Sequence, residues 1–145
     1  MIQTRLWHKD LIPVLPRQQL LGQWRECCLI AKEEVTALAE TEPEEPLHVH
    51  VLIDRLWDYP EAMFNVYAYA VYTEMKRRGF STDWNKFDQY RINRNYDWTT
   101  EELFPGWHND RYLAQCLANL QEKYDCGAIP VEEWKRITDR YPEWK

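Results

Sequence analysis

The residues best suited to chemistry in this chain stand close together: Arg25 and Glu26, with Gln18, Gln19 and Gly22 one or two turns earlier. At about 100° per residue these positions share one side of a helix, with Gly22 near the middle of the group. A carboxylate held near a reactive centre can stabilise a cation or carry a proton, and a guanidinium beside two primary amides suits an anionic substrate. The same residues also suit a solvated pair or a structural salt bridge, and spacing alone does not choose between the two. Glycine inside a helix costs about 1 kcal/mol relative to alanine, so Gly22 points to close approach by something else. Leu29 and Ile30 fall on this side too, so part of it is expected to be covered by protein, with the N-terminal arm as the candidate cover.

Other reactive residue types carry less. His48-Val49-His50 offers two imidazoles, but no acidic or cysteine partner stands at a metal-ligand spacing, so no metal site and no cofactor are expected. The cysteines, at 27, 28, 116 and 126, make neither a Cys-x-x-Cys pair nor an even disulfide framework. On a helix, Cys27 and Cys28 read as small apolar core residues.

The net charge of −6 argues against an ordinary nucleic-acid binder, yet its distribution matters more than its total. Residues 31–60 alone carry −6, concentrated at Glu40-Thr41-Glu42-Pro43-Glu44-Glu45-Pro46, which reads as a solvated loop. Residues 1–30 carry +2 and residues 61–100 carry +1, which leaves room for a local basic groove. No apolar run approaches the roughly 20 residues of a membrane helix, and the first residues lack a signal-peptide layout, so a cytoplasmic protein is expected.

The elements that must hold the polar face follow from periodicity. Thr4 to Leu15 reads as an extended arm, closed by Pro13 and Pro16. From Pro16, the residues Leu20, Leu21, Trp24, Cys27, Cys28, Ala31, Val35 and Leu38 recur at helical steps and define one long amphipathic helix. His48 to Trp57 fits strand or helix. A second helix opens at Tyr59-Pro60 and stops at Gly79, after Lys76-Arg77-Arg78 has placed cations at its negative end. Residues 81–107 read as a long ordered loop. A third helix begins at Asn109 or Asp110 and closes at Gly127, and a short fourth one runs from Pro130 to about Tyr141. The expected fold is mainly α: residues 1–145 as a single compact helical domain with an extended N-terminal arm.

The ordered set Thr4-Arg5-Leu6, Gln18-Gln19-Leu20-Leu21 and Arg25-Glu26 resembles the pyrimidine-dimer DNA glycosylase (endonuclease V-like) family. The likeness continues at Glu74-Met75-Lys76-Arg77-Arg78-Gly79-Phe80 and at Ala118-Asn119-Leu120-Gln121-Glu122-Lys123. It is most specific in the first 28 residues. The resemblance implies a DNA repair enzyme that takes a base out of damaged duplex DNA and works on its sugar without a cofactor. Carried over, Thr4 stands at the place of the amine-bearing residue and Glu26 is the catalytic carboxylate. Arg5 and Arg25 would hold phosphates, and Gln18 and Gln19 would contact DNA.

An α-amine suits the attack on C1′ because its pKa of about 8 leaves a neutral fraction near pH 7. In this chain the α-amine lies three residues before Thr4, a reach of up to about 10 Å. Gln19 stands where the family has histidine, and Asn119 where it has arginine. The implied activity is therefore a glycosylase with abasic-site lyase chemistry on pyrimidine dimers. The alternative is a non-catalytic relative that keeps the fold as a protein- or nucleic-acid-binding module, and a hydrolase built on His48 and His50 is the outsider.

Overall fold

A computed structural model describes residues 5–39, 55–91 and 102–145. The acidic loop and the His48-Val49-His50 segment lie outside the described residues, as does Thr4. Among the described residues the regular structure is entirely helical, as the periodicity predicts.

Helix α1 spans Arg17–Ala39, directly after Pro16, whose carbonyl accepts the Leu20 N–H at 2.9 Å. Its predicted stripe is real: Leu20, Trp24, Cys27 and Ala31 are buried, with Leu21 and Cys28 partly so. Helix α2 spans Glu61–Arg77 and packs against α1, burying Phe64, Tyr67, Ala68, Val71 and Met75. It ends as expected at Gly79, whose φ of 86° lets the chain reverse. The Gly79 and Phe80 N–H groups then satisfy the carbonyls of Lys76 and Met75 at 3.0 Å each.

The region read as one loop contains a short helix, α3 (Asn85–Asp88), that packs on α1. Its single turn is too short to carry a period, and what holds it is aromatic: Phe87 is fully buried between Trp24, Phe64 and Trp84. Helix α4 (Asp110–Asp125) takes Asn109 as its N-cap, the side-chain oxygen accepting the Tyr112 N–H at 2.9 Å. Helix α5 (Val131–Arg140) follows Pro130 and lays Trp134 on Tyr124, ring centres 5.1 Å apart.

The arm differs from its expected form. Residues 5–8 are extended, but Lys9–Val14 winds into a 3-10 helix that contains Pro13, with His8 capping it through an acceptor for the Asp10 N–H. The winding packs this segment on α2 and α5 and buries Leu11 and Ile12, with Leu6 and Leu15 buried on either side. Arg78 holds the far end of the arm: its guanidinium donates to the carbonyls of Leu15 at 2.8 Å, Pro13 at 3.1 Å and Ile12 at 3.4 Å. Before α4, Phe104 is fully buried at a φ of 54°, a strained conformation for a side chain this bulky. Its carbonyl accepts the His108 N–H at 2.9 Å and so places that imidazole against the arm.

Candidate active site

The near end of the arm is fixed by three polar side chains from three helices. Tyr112 on α4 donates its hydroxyl to the Leu6 carbonyl at 2.6 Å, and Tyr67 on α2 donates to the Trp7 carbonyl at 2.6 Å. Gln23 on α1 accepts the Trp7 N–H through Oε1 at 2.7 Å. An extended segment leaves its backbone groups unpaired, and these bonds satisfy them where the arm is buried. Gln23 itself is 1% exposed, and the Trp7 donor fixes the direction of its amide. With Oε1 turned to the arm, Nε2 must face the other way, and there it lies 3.5 Å from Oε2 of Glu26.

Glu26 is thus linked to the arm through Gln23; it is half-buried and among the described residues is served by one long hydrogen bond. Burial raises its carboxyl from the usual range to about 7, against the smaller opposing pull of Arg25. A group of this kind is partly protonated at neutral pH and can both give and take a proton. Arg25 is the charged neighbour that opposes this rise, and no hydrogen-bonded salt bridge joins the two side chains.

Arg25 lines an open cleft of about 440 Å³ between α1 and the α3 region. Arg25, Lys32 and Lys86 bring positive charge to it, and Trp24, Leu29 and Tyr90 give it apolar and aromatic walls. Leu29 is exposed whereas Ile30 is buried, so the expected protein cover reaches only one of the two. Cations with aromatic faces can hold a phosphate-linked chain and stack its bases. Helix α1 therefore presents two adjoining surfaces: a desolvated carboxylate toward the arm and a basic, aromatic cleft around the corner.

The remaining site residues are placed as follows. Arg5 is half-buried, with its guanidinium 5.3 Å from the Trp7 ring centre, and its charge bears on the Cys116 thiol of α4. Gln18 is exposed near the start of α1; Gln19 is half-buried, and its Oε1 has no hydrogen-bond partner among the described residues. Among the described residues Gly22 has no tight neighbour: a Cβ there would meet the Arg25 guanidinium at 3.9 Å, an ordinary contact. The structure links Glu26 to the arm through Gln23 and places Arg25 in the lining of the cleft, and Thr4 lies outside the described residues.

Several residues that build the site carry no motif. Gln23 lies on the flank of the apolar stripe, and a polar side chain in that position is the one signal that could have found it. Tyr67 and Tyr112 look like core residues, and their hydroxyls become informative only when their arm partners are known. Lys86 and Tyr90 lie in the stretch read as a loop.

His8 of the arm and His108 form a further pair, their rings stacked with centres 5.1 Å apart. Burial lowers both, His108 to about 3, so His108 is neutral at physiological pH and accepts the Lys9 N–H through Nδ1 at 3.0 Å. Burial likewise pushes the Cys27 thiol far up and that of Cys28 to about 11, which makes both inert. Among the described residues no group of three His, Cys, Asp or Glu side chains could hold a metal ion. No described helix is long and apolar enough to cross a membrane.

Comparison with known proteins rests on one finding. A family model described as pyrimidine dimer DNA glycosylase matches residues 4–88, from the arm through α3. No curated protein and no solved structure matches the chain. The matched stretch contains the arm, Gln23, Glu26, the clamp at Arg78 and α3, and it covers more than half of the sequence. On that match the chain belongs to the pyrimidine dimer DNA glycosylase family.

Proposed function

We propose that the chain is a DNA repair glycosylase with abasic-site lyase activity on damaged duplex DNA, and that Glu26 is its catalytic carboxylate. The observation that carries this reading is the setting of Glu26: a carboxyl raised to about 7 by burial, next to the arm that leads to Thr4. A carboxyl raised by burial, with one long contact among the described residues, carries a desolvation cost that a cationic intermediate would relieve.

In this reading the α-amine of the segment before Arg5 attacks C1′. Its nitrogen bonds to C1′ as the bond to the base breaks, and the base leaves with a proton. Opening of the sugar ring gives an imine, and loss of a C2′ proton then expels the 3′ phosphate and cuts the strand. Glu26 stabilises the positive charge that builds on the sugar and moves these protons. Arg25 and Arg5 hold phosphates, and Gln18 and Gln19 contact the duplex near the extruded nucleotide. Pyrimidine dimers are the expected lesion, as the family description indicates.

Borohydride reduction in the presence of abasic-site duplex tests the proposal, with the mass of the N-terminal peptide fixing which amine is present. The expected result is a covalent protein–DNA adduct on that peptide, lost in Glu26→Gln. Absence of an adduct, with duplex binding retained, would favour a binding module on the same fold.

A further inference from the structure

A second concave surface lies away from Glu26, where the start of α1, the end of α2 and α5 meet. This pocket, of about 520 Å³, is lined by Arg17, Arg77, Arg78, Arg136, Phe80 and Glu133. Four guanidinium groups share it with one carboxylate, in a chain whose net charge is −6. Clustered like charges repel one another, so such a cluster within an acidic protein calls for a reason.

The four arginines are not equally engaged. Arg78 is committed to the arm carbonyls and to Glu74, and its side chain is only 10% exposed. Arg77 gives its Nε and one terminal nitrogen to Glu74 but stays 63% exposed, which leaves its other terminal nitrogen turned outward. Arg17 lies over the Phe80 ring at 5.3 Å, and Arg136 is exposed; neither side chain has an ion pair among the described residues. The carboxylate of Glu133 already accepts the Arg17 backbone N–H at 2.7 Å, so the open donors of the pocket are side-chain guanidiniums. Planar forks arranged around a concavity, one of them steadied on an aromatic ring, match the oxygens of a phosphate group.

We propose that this pocket binds a phosphate group through Arg17, Arg77 and Arg136. Arg17 precedes Glu26 by nine residues, which is about 13 Å along the helix axis and half a turn around it. The site is therefore separate from the candidate active site, and its existence does not depend on strand cleavage. Two sources supply the chemistry: the backbone of a duplex reaching past the active-site face, or a free phosphate or pyrophosphate.

The test uses the full chain and the pair Arg17→Ser with Arg136→Ser, both at exposed positions. Affinity for undamaged duplex is measured against salt, and pyrophosphate binding is measured separately by calorimetry. Each lost phosphate contact should flatten the log–log salt dependence by about 0.9. The expected result is a slope shallower by about two and an affinity at least about tenfold weaker at low salt. Arg17→Lys with Arg136→Lys should restore the slope but only part of the affinity, because lysine keeps the charge and loses the fork. This lysine pair also carries the test if the serine pair does not fold. A wild-type pyrophosphate affinity abolished in the serine pair, with an unchanged duplex slope, would assign the site to free phosphate. No pyrophosphate binding and no change in slope would overturn the proposal.

Discussion

Glu26 on α1 and Glu74 on α2 are the same residue type near opposite ends of the same arm, and their environments drive them in opposite directions. Glu74 is 7% exposed, and its burial alone would raise the carboxyl. Hydrogen bonds and charge from Arg77 and Arg78 more than offset that, so it lies below the ordinary range. Glu26 is half-buried and has, among the described residues, one long contact to an amide; burial raises it to about 7 against the smaller opposing charge of Arg25. The first arrangement stabilises the fold, since Glu74 holds Arg78 in place and Arg78 holds the arm. The second carries a desolvation cost, the setting in which the proposed chemistry would use a carboxyl. Carboxylates at the two ends of one segment thus divide structural work from candidate chemical work by the donors each is given.

The largest expected effect sharpens this contrast on the active side. Glu26→Gln should lower strand cleavage of abasic-site duplex by about 10²–10⁴-fold, in single-turnover assays, while the fold stays intact. Its effect on stability should run the other way. The folded carboxyl is raised above its unfolded value, so its stabilising contribution is complete below pH 4.5 and is lost as pH rises through about 7. At pH 8 the glutamine variant should be more stable than wild type by about 1 kcal/mol, the figure being reduced for solvent screening of a half-exposed group.

Glu74→Gln should do the reverse. The folded carboxyl is lowered, so its contribution is present above pH 4.5 and lost as pH falls below that value. Removing the charge strands two arginines, and urea denaturation at pH 7 should show a loss of about 3 kcal/mol. A stable Glu74→Gln would break the comparison.

Gln23→Leu tests the link between arm and carboxylate. It leaves the Trp7 N–H without an acceptor and should cost about 2 kcal/mol by chemical denaturation. Cleavage should fall further than the change in folded fraction explains, because the arm loses its register against Glu26.

His108 extends the comparison to a base desolvated without a countercharge. Its folded value is depressed to about 3, so its stabilising contribution is complete above pH 6.5 and is lost as pH falls toward 3. Each pH unit in that window should remove up to about 1.4 kcal/mol, a slope that His108→Phe abolishes.

The smallest effect is expected at Gly22. Among the described residues an added Cβ would make only an ordinary contact with the Arg25 guanidinium, so Gly22→Ala should stabilise the fold by about 1 kcal/mol in thermal melts. If a duplex comes close to this helix face, the added methyl should weaken binding at the same time.

How far the sequence discloses this molecule depends on the range of each interaction. Helices α1, α2, α4 and α5 are legible because their signals are local: a three- and four-residue period, prolines at 16, 60 and 130, Asn109 as a cap, and Gly79 and Gly127 at the ends. Grouping of Gln18, Gly22, Arg25 and Glu26 on one side of α1 follows from the same period. The 3-10 winding of Lys9–Val14 is hidden because Arg78, more than 60 residues away, supplies the donors that hold its carbonyls. Helix α3 is hidden because one turn has no period and its stability comes from aromatic contacts with α1 and α2. The two roles of Arg25 and Glu26 cannot be separated from their adjacency alone. Only the placement of Gln23 between arm and carboxylate separates them, and that bond spans 16 positions on one side.

The central claim is that Glu26 is a desolvated carboxyl poised to change charge near neutral pH. Carbon-detected NMR titration of the glutamate side-chain carboxyls, with Glu26→Gln to assign the resonance, tests it most directly. The account predicts a Glu26 midpoint near 7, well separated from the other glutamates. A midpoint at or below 4.5 would contradict it, because Glu26 would then be an ordinary ionised surface carboxylate.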